Sequence, residues 1–163
     1  MKKIAFIILC FCLTSCFTNW GEERSVDPIF SRYEPVTLER NVFENAIEIQ
    51  DKTAVTESSK IYIISDYIFV NDKRTGFHIF DNTNPESPIK KKFLKIPGAT
   101  DIAIRNNILY INQATDLVVL TLNFTDFSMI INKRIKNVFP ELRSPDGEFF
   151  SEDNKVVVNW LKK

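Results

Sequence analysis

The chain has 163 residues, 21 basic and 21 acidic side chains, and a single histidine. So even a balance lacks the basic field that nucleic-acid binding demands, and one histidine cannot build a His-rich metal centre. The length allows one domain of modest core beyond any targeting segment.

At the N-terminus, Lys2 and Lys3 precede an almost wholly apolar run from Ile4 to Leu13. That run is about ten residues, roughly half of what a helix needs to cross a bilayer, so it reads as a signal h-region. Where it ends stands Leu13-Thr14-Ser15-Cys16, which resembles the lipobox of bacterial lipoproteins. The resemblance implies cleavage between Ser15 and Cys16, a diacylglycerol thioether on Cys16, and a second acylation, palmitate or similar, on the new N-terminus. Residues 1–15 are then a lipoprotein signal peptide and the protein is held to a membrane. Two or more chains give stable anchoring at about 0.8 kcal/mol per buried methylene. Phe17 stands where some bacteria use aspartate for inner-membrane retention, which by the same resemblance points to the outer membrane.

Cysteine usage follows from this. Cys10 and Cys12 fall in the discarded segment and Cys16 carries lipid. No disulfide, cysteine nucleophile or Cys-based zinc site is expected, and the exported part must fold on its core alone. Removal of residues 1–15 takes away Lys2 and Lys3 but no acid, so the acids then lead by two.

Residues 16–36 mix charges, Gly21, Pro28 and Pro35 with a few aromatics, and read as the lipidated cysteine plus a linker. Residues 37–60 read as a short helix and a loop. Leu38, Val42, Phe43, Ala46 and Ile47 recur at helical spacing, with Thr37 as the N-cap. Residues 50–60 are polar.

Residues 61–163 are strand-like and repetitive. Ile64–Val70 aligns with Ile104–Tyr110, and Phe77–Phe80 with Leu117–Leu120, at one offset of about forty residues. Each unit holds three strands divided by the turns at Ser65-Asp66 and Asn71–Gly76, or Arg105–Asn107 and Asn112–Asp116. A fourth strand follows near Ile89–Ile96 and Met129–Ile135. Four short antiparallel strands per period is the pattern of a β-propeller blade, and continuous apolar strands such as Leu117–Leu120 fit a sheet covered on both faces. The tail, Glu148 to Trp160, reads as a hairpin turning at Glu152–Lys155. The expected fold is therefore all-β: two blade-like repeats with a short N-terminal helix and a C-terminal hairpin.

The segments Lys60–Pro85, Ile96–Ile104 and Thr115–Leu120 resemble the propeller lipoproteins that bear LVIVD repeats, whose name-giving strand is matched by Leu117-Val118-Val119-Leu120. The resemblance runs from about Tyr33 to Trp160. It implies a β-propeller in the cell envelope and no particular activity. Such proteins continue through several more blades, whereas two cannot close a ring. Assembly of several chains, or a shortened member with open β edges that meet a protein partner, is expected.

Few residues suggest chemistry. His78 aligns with Val118 and has no announced partner, so a packed strand residue is expected. Asp146, Glu148, Glu152 and Asp153 form an acidic cluster, but Pro145-Asp146-Gly147 is turn chemistry and matches no EF-hand loop. Asp101 and Asp116 precede strands and are expected to hold turn backbone. Lys90-Lys91-Lys92 is expected to be solvated. The four glycines, Gly21, Gly76, Gly98 and Gly147, form no phosphate loop. No catalytic residue, metal or cofactor is assigned. The chain reads as a non-catalytic envelope lipoprotein for protein interaction or structure, with ligand or glycan binding as the alternative and an enzyme last.

Overall fold

A computed structural model of the chain describes residues 32–163. Ser15, Cys16 and the signal segment lie outside the described residues. Eleven strands and one helix follow in order: β1 (Tyr33–Glu39), α1 (Arg40–Asn45), β2 (Glu48–Asp51), β3 (Ser58–Ile64), β4 (Tyr67–Asp72), β5 (Gly76–Asp81), β6 (Ile89–Lys95), β7 (Ala99–Arg105), β8 (Ile108–Gln113), β9 (Asp116–Leu122), β10 (Met129–Ile135) and β11 (Lys155–Lys162). The fold is all-β in kind, and every strand pair is antiparallel. The first sheet has the order β2-β6-β5-β4-β3, the second β10-β9-β8-β7, and β1 pairs with β11 alone.

The two larger sheets share a four-stranded pattern, β3–β6 in the first and β7–β10 in the second, with β2 added at the edge of the first. The turn Ser65-Asp66 joins β3 to β4 as Asn106-Asn107 joins β7 to β8. Ser65, Asn106 and Asn107 all take positive φ, the left-handed backbone that two-residue hairpin turns demand and asparagine tolerates. The last hairpins agree even in a defect. Lys91 of β6 and Asn132 of β10 are each skipped by the neighbouring strand, a β-bulge at the same place in both units. The fourth strands fall at Ile89–Lys95 and Met129–Ile135, close to their expected bounds.

One detail of the repeat differs from expectation. Hairpin geometry equates Ile64 with Arg105, one residue beyond the partner given by the ungapped alignment. Three residues link β4 to β5, but two, Ala114 and Thr115, link β8 to β9. The shorter turn absorbs the slip, so Phe77 does match Leu117. In a strand, one residue of slip exchanges the two faces, and this decides which sides are equivalent.

The unit faces pack together. Phe69, Phe77, Ile79 and Leu94 of the first sheet share one core with Ile102, Leu109, Ile111, Val118, Leu120 and Leu122 of the second. Most of these are completely buried. The inner edge strands β3 and β7 meet, where the Tyr62 hydroxyl and the Lys60 amine both donate to Asp101.

Three local expectations are corrected. The helix begins at Arg40 and not at a Thr37 cap, because Thr37 pairs with Val157 in the β1–β11 ladder. The ladder satisfies backbone that helical spacing alone would have assigned to α1, so residues 33–36 are strand and not linker. Residues 50–60 are not one loop: Gln50 and Asp51 end β2, and Ser58 opens β3. The C-terminal hairpin is absent. The Lys155 N–H closes a turn on the Glu152 carbonyl, but Glu148–Ser151 form no strand, and β11 takes β1 as its partner. Phe43 of α1 is fully buried against Val156 and Val158 in a second, smaller core.

Candidate functional site

Alternation places one row of side chains from each sheet in the shared core and leaves the other row outward. On the first sheet the outward row runs through Ile61 and Val70, then Ile63, Ile68 and Phe80. Ile61 and Ile63 are 65% and 67% exposed. On the second sheet the outward row includes Tyr110 and Val119, then Ile108, Thr121 and Ile130. Ile130 is 67% exposed and Tyr110 39%. Scattered exposed isoleucines are ordinary on a surface, but here they stand in aligned, largely apolar cross-strand rows, with Arg105 and Lys133 at the ends of the second sheet's rows.

A strap crosses part of the first face. Residues 52–57 run from the β2 edge of the sheet to its β3 edge and are exposed along their length. Their anchor is Asp72 at the end of β4. Its carboxylate accepts the backbone N–H of Thr56 at 3.0 Å, the Thr56 hydroxyl at 2.7 Å and the N–H of Glu57 at 2.7 Å. Burial works against this charge, but the donations from Glu57, Thr56 and His78 outweigh it and hold the carboxyl at about 2. At the strap's start, the Lys90 amine donates to the Thr53 carbonyl and Lys92 pairs with Asp51.

A second polar cluster joins α1 to the second sheet. Asp116 is completely buried and accepts from Arg40 at 2.5 Å, Arg134 at 3.0 Å and the Asn137 N–H at 3.2 Å. Burial opposes its charge, and these donors still hold its pKa below the usual carboxylate range. Both guanidiniums also lie over the Phe43 ring, at 5.4 and 5.3 Å. Arg40 donates to Glu44, which Lys136 also pairs with. Beside this cluster a groove of about 340 Å³ is lined by residues including Arg40, Lys136, Asn137 and Lys155. Arg40, Lys136 and Lys155 each already pair with a carboxylate, so the cluster is a structural clasp and not a ready anion site.

His78 is fully buried beneath the strap, its ring 4.6 Å from that of Phe93 and tilted 37° to it. Asp116 does hold turn backbone, at Asn137, but its larger load is the two arginines. Asp101 lies within β7 and links the sheets through Lys60 and Tyr62. Asp146 binds Arg32 through both backbone and side chain, while Gly147 completes a turn on Ser144 with φ of 88°. No three His, Cys, Asp or Glu side chains converge to hold a metal among the described residues. Lys90, Lys91 and Lys92 engage Thr53, Asp81 and Asp51 respectively.

The outward apolar rows and the Asp72 tether were not among the residues singled out from sequence. The rows were visible as apolar alternation in β3 and β10, but only the register shows that they face away from the core. Asp72 carried no local signal, because its donors come from a segment about fifteen residues upstream. No helix among the described residues is long and apolar enough to cross a membrane. No family model, curated protein or solved structure matches the chain.

Proposed function

We propose that the protein is a membrane-anchored cell-envelope lipoprotein, held by lipid on Cys16, that serves as a non-catalytic interaction module. Its two four-stranded units act as propeller-like blades whose outward faces receive another protein surface. The observation that carries the interaction reading is the pair of outward rows. Ile61, Ile63 and Ile130 stand about two-thirds exposed within continuous sheet faces. Burying such side chains gains about 1.5–3 kcal/mol each, so a covering partner is favoured. The lipobox-like Leu13–Cys16 after the apolar run supports the anchor.

Glycan binding would call for clustered aromatic platforms. Among the described residues the large aromatics most open to solvent are Tyr110 and Phe149. They lie on separate elements, and Phe149 already has Arg143 over its ring at 3.9 Å. This favours a protein partner.

The test is fractionation of the full chain expressed in a bacterium. Wild type is expected in the membrane fraction with incorporated labelled palmitate, and Cys16→Ser is expected to lose the label. A wild-type chain that takes up no label, or a Cys16→Ser chain that keeps it, refutes the anchor.

A further inference from the structure

The two outward faces are not arbitrary surfaces, because the repeat relates each of them to a face already buried in the core. With Ile64 equivalent to Arg105, the outward residues Ile61, Ile63, Ile68 and Val70 correspond to Ile102, Ile104, Leu109 and Ile111. Those four all lie on the second sheet's side of the shared core. In the same way, Phe69, Phe77 and Ile79 of the core correspond to Tyr110, Leu117 and Val119 on the second sheet's outward side. Each open face is therefore the repeat-equivalent of one half of the internal interface, and the two halves are different.

We propose that the occupant of these faces is a second copy of this chain, docked head to tail. The outward face of the second sheet in one copy covers the outward face of the first sheet in the next, continuing the stacking that joins the sheets internally. This rests on the reading of the sheets as interaction surfaces and names their partner. The strap at residues 52–57 covers the row near His78 and Phe93 but leaves Ile61 and Ile63 open. The contact is thereby concentrated on the β3–β4 half of the first sheet. A heterologous contact of this kind closes into a ring if its rotation allows, and otherwise runs on as a filament.

The experiment uses the full chain extracted from membranes in mild detergent, with protein mass read by sedimentation. Wild type is expected at two or more times the mass of one mature chain beginning at Cys16. Ile63→Ser spoils one face and Ile130→Ser the other, so each variant alone is expected at the mass of one chain. Mixed, they retain one intact face of each kind and are expected to form a two-chain species. Both positions are 67% exposed, and circular dichroism checks the fold. If either serine variant unfolds, the β-branched Ile→Thr at that position is read in its place. A wild-type single chain, or a variant whose mass stays at the wild-type value, overturns the proposal. Loss of mass with Ile63→Ser alone indicates a symmetric contact and also overturns it. A monomer that carries lipid on Cys16 refutes this docking without touching the anchor, whereas an oligomer without lipid does the reverse.

Discussion

The Nε2 atom of His78 lies 3.1 Å from Oδ2 of Asp72, both side chains almost wholly buried. An ionised carboxylate only accepts, so the imidazole carries a proton on Nε2 and points it at Asp72. Nδ1 is buried without a hydrogen-bond partner in the protein. This pair fixes the floor over which the strap runs, and the same carboxylate holds the strap.

Removing the anchor should therefore release the strap. Asp72→Ala leaves the Thr56 and Glu57 N–H groups without their acceptor and is expected to cost about 1–3 kcal/mol. Hydrogen exchange should accelerate at those two amides well before β4 and β5 exchange. Equal protection in variant and wild type would contradict this role.

The same group gives an acid dependence. Its folded pKa of about 2 lies below the ordinary value of 3.8, so the folded state favours the ionised form. That stabilisation is complete above about pH 4 and is lost as pH falls toward 2. By linkage the contribution is about 2 kcal/mol. Urea unfolding of wild type and Asp72→Asn should converge as pH is lowered through that window. A difference that stays constant to pH 2 would refute the assignment.

At the other clasp, Asp116 is buried with two arginines that are themselves only partly exposed. Truncating one member of such a group leaves uncompensated charge, at a cost of about 3–5 kcal/mol. Asp116→Ala is expected to lower the urea midpoint strongly, and Asp116→Asn, which keeps one acceptor oxygen for Arg40 and Arg134 but loses the charge and the acceptor for the Asn137 N–H, to lower it less. Equal losses would show that charge and geometry do not act there as described.

Gly76 is the most tightly confined of the described glycines. Its φ is 153°, and a Cβ there would stand 2.1 Å from the Leu94 carbonyl oxygen in the paired strand. Gly76→Ala is expected to force β5 and β6 apart and cost more than about 2 kcal/mol. Gly147, with φ of 88°, has nothing within 4 Å of its Cβ position. Gly147→Ala carries only the backbone cost, about 1–2 kcal/mol. Thermal unfolding of the two variants should rank them in that order.

Much of the strand order could be read before the fold was known. The turns at Ser65-Asp66 and Arg105–Asn107, the latter narrowed because Arg105 closes β7, and the fourth strands near Ile89 and Met129 follow from apolar runs broken by turn residues. The pairing of β1 with β11 could not, because Tyr33 and Lys162 stand at opposite ends of the domain and no local pattern records a partner so distant. That pairing also explains why Thr37 extends a strand when its spacing suits a helix. The slip between Ile64 and Arg105 hid for another reason. Apolar residues on both faces of β4 and β8 make either register look equally good, and only the turn lengths decide. Of the candidate site, His78 as a packed residue was legible. The outward rows were not, since their direction depends on that slip.

The proposed anchoring and the proposed envelope location both rest on Cys16. Intact mass spectrometry of the N-terminal peptide, from full-length chain expressed in a bacterium and extracted from membranes, tests that anchor most directly. The expected peptide begins at Cys16 and carries a diacylglyceryl group and a further acyl chain. A peptide beginning at Met1, or at another residue without lipid, would contradict it.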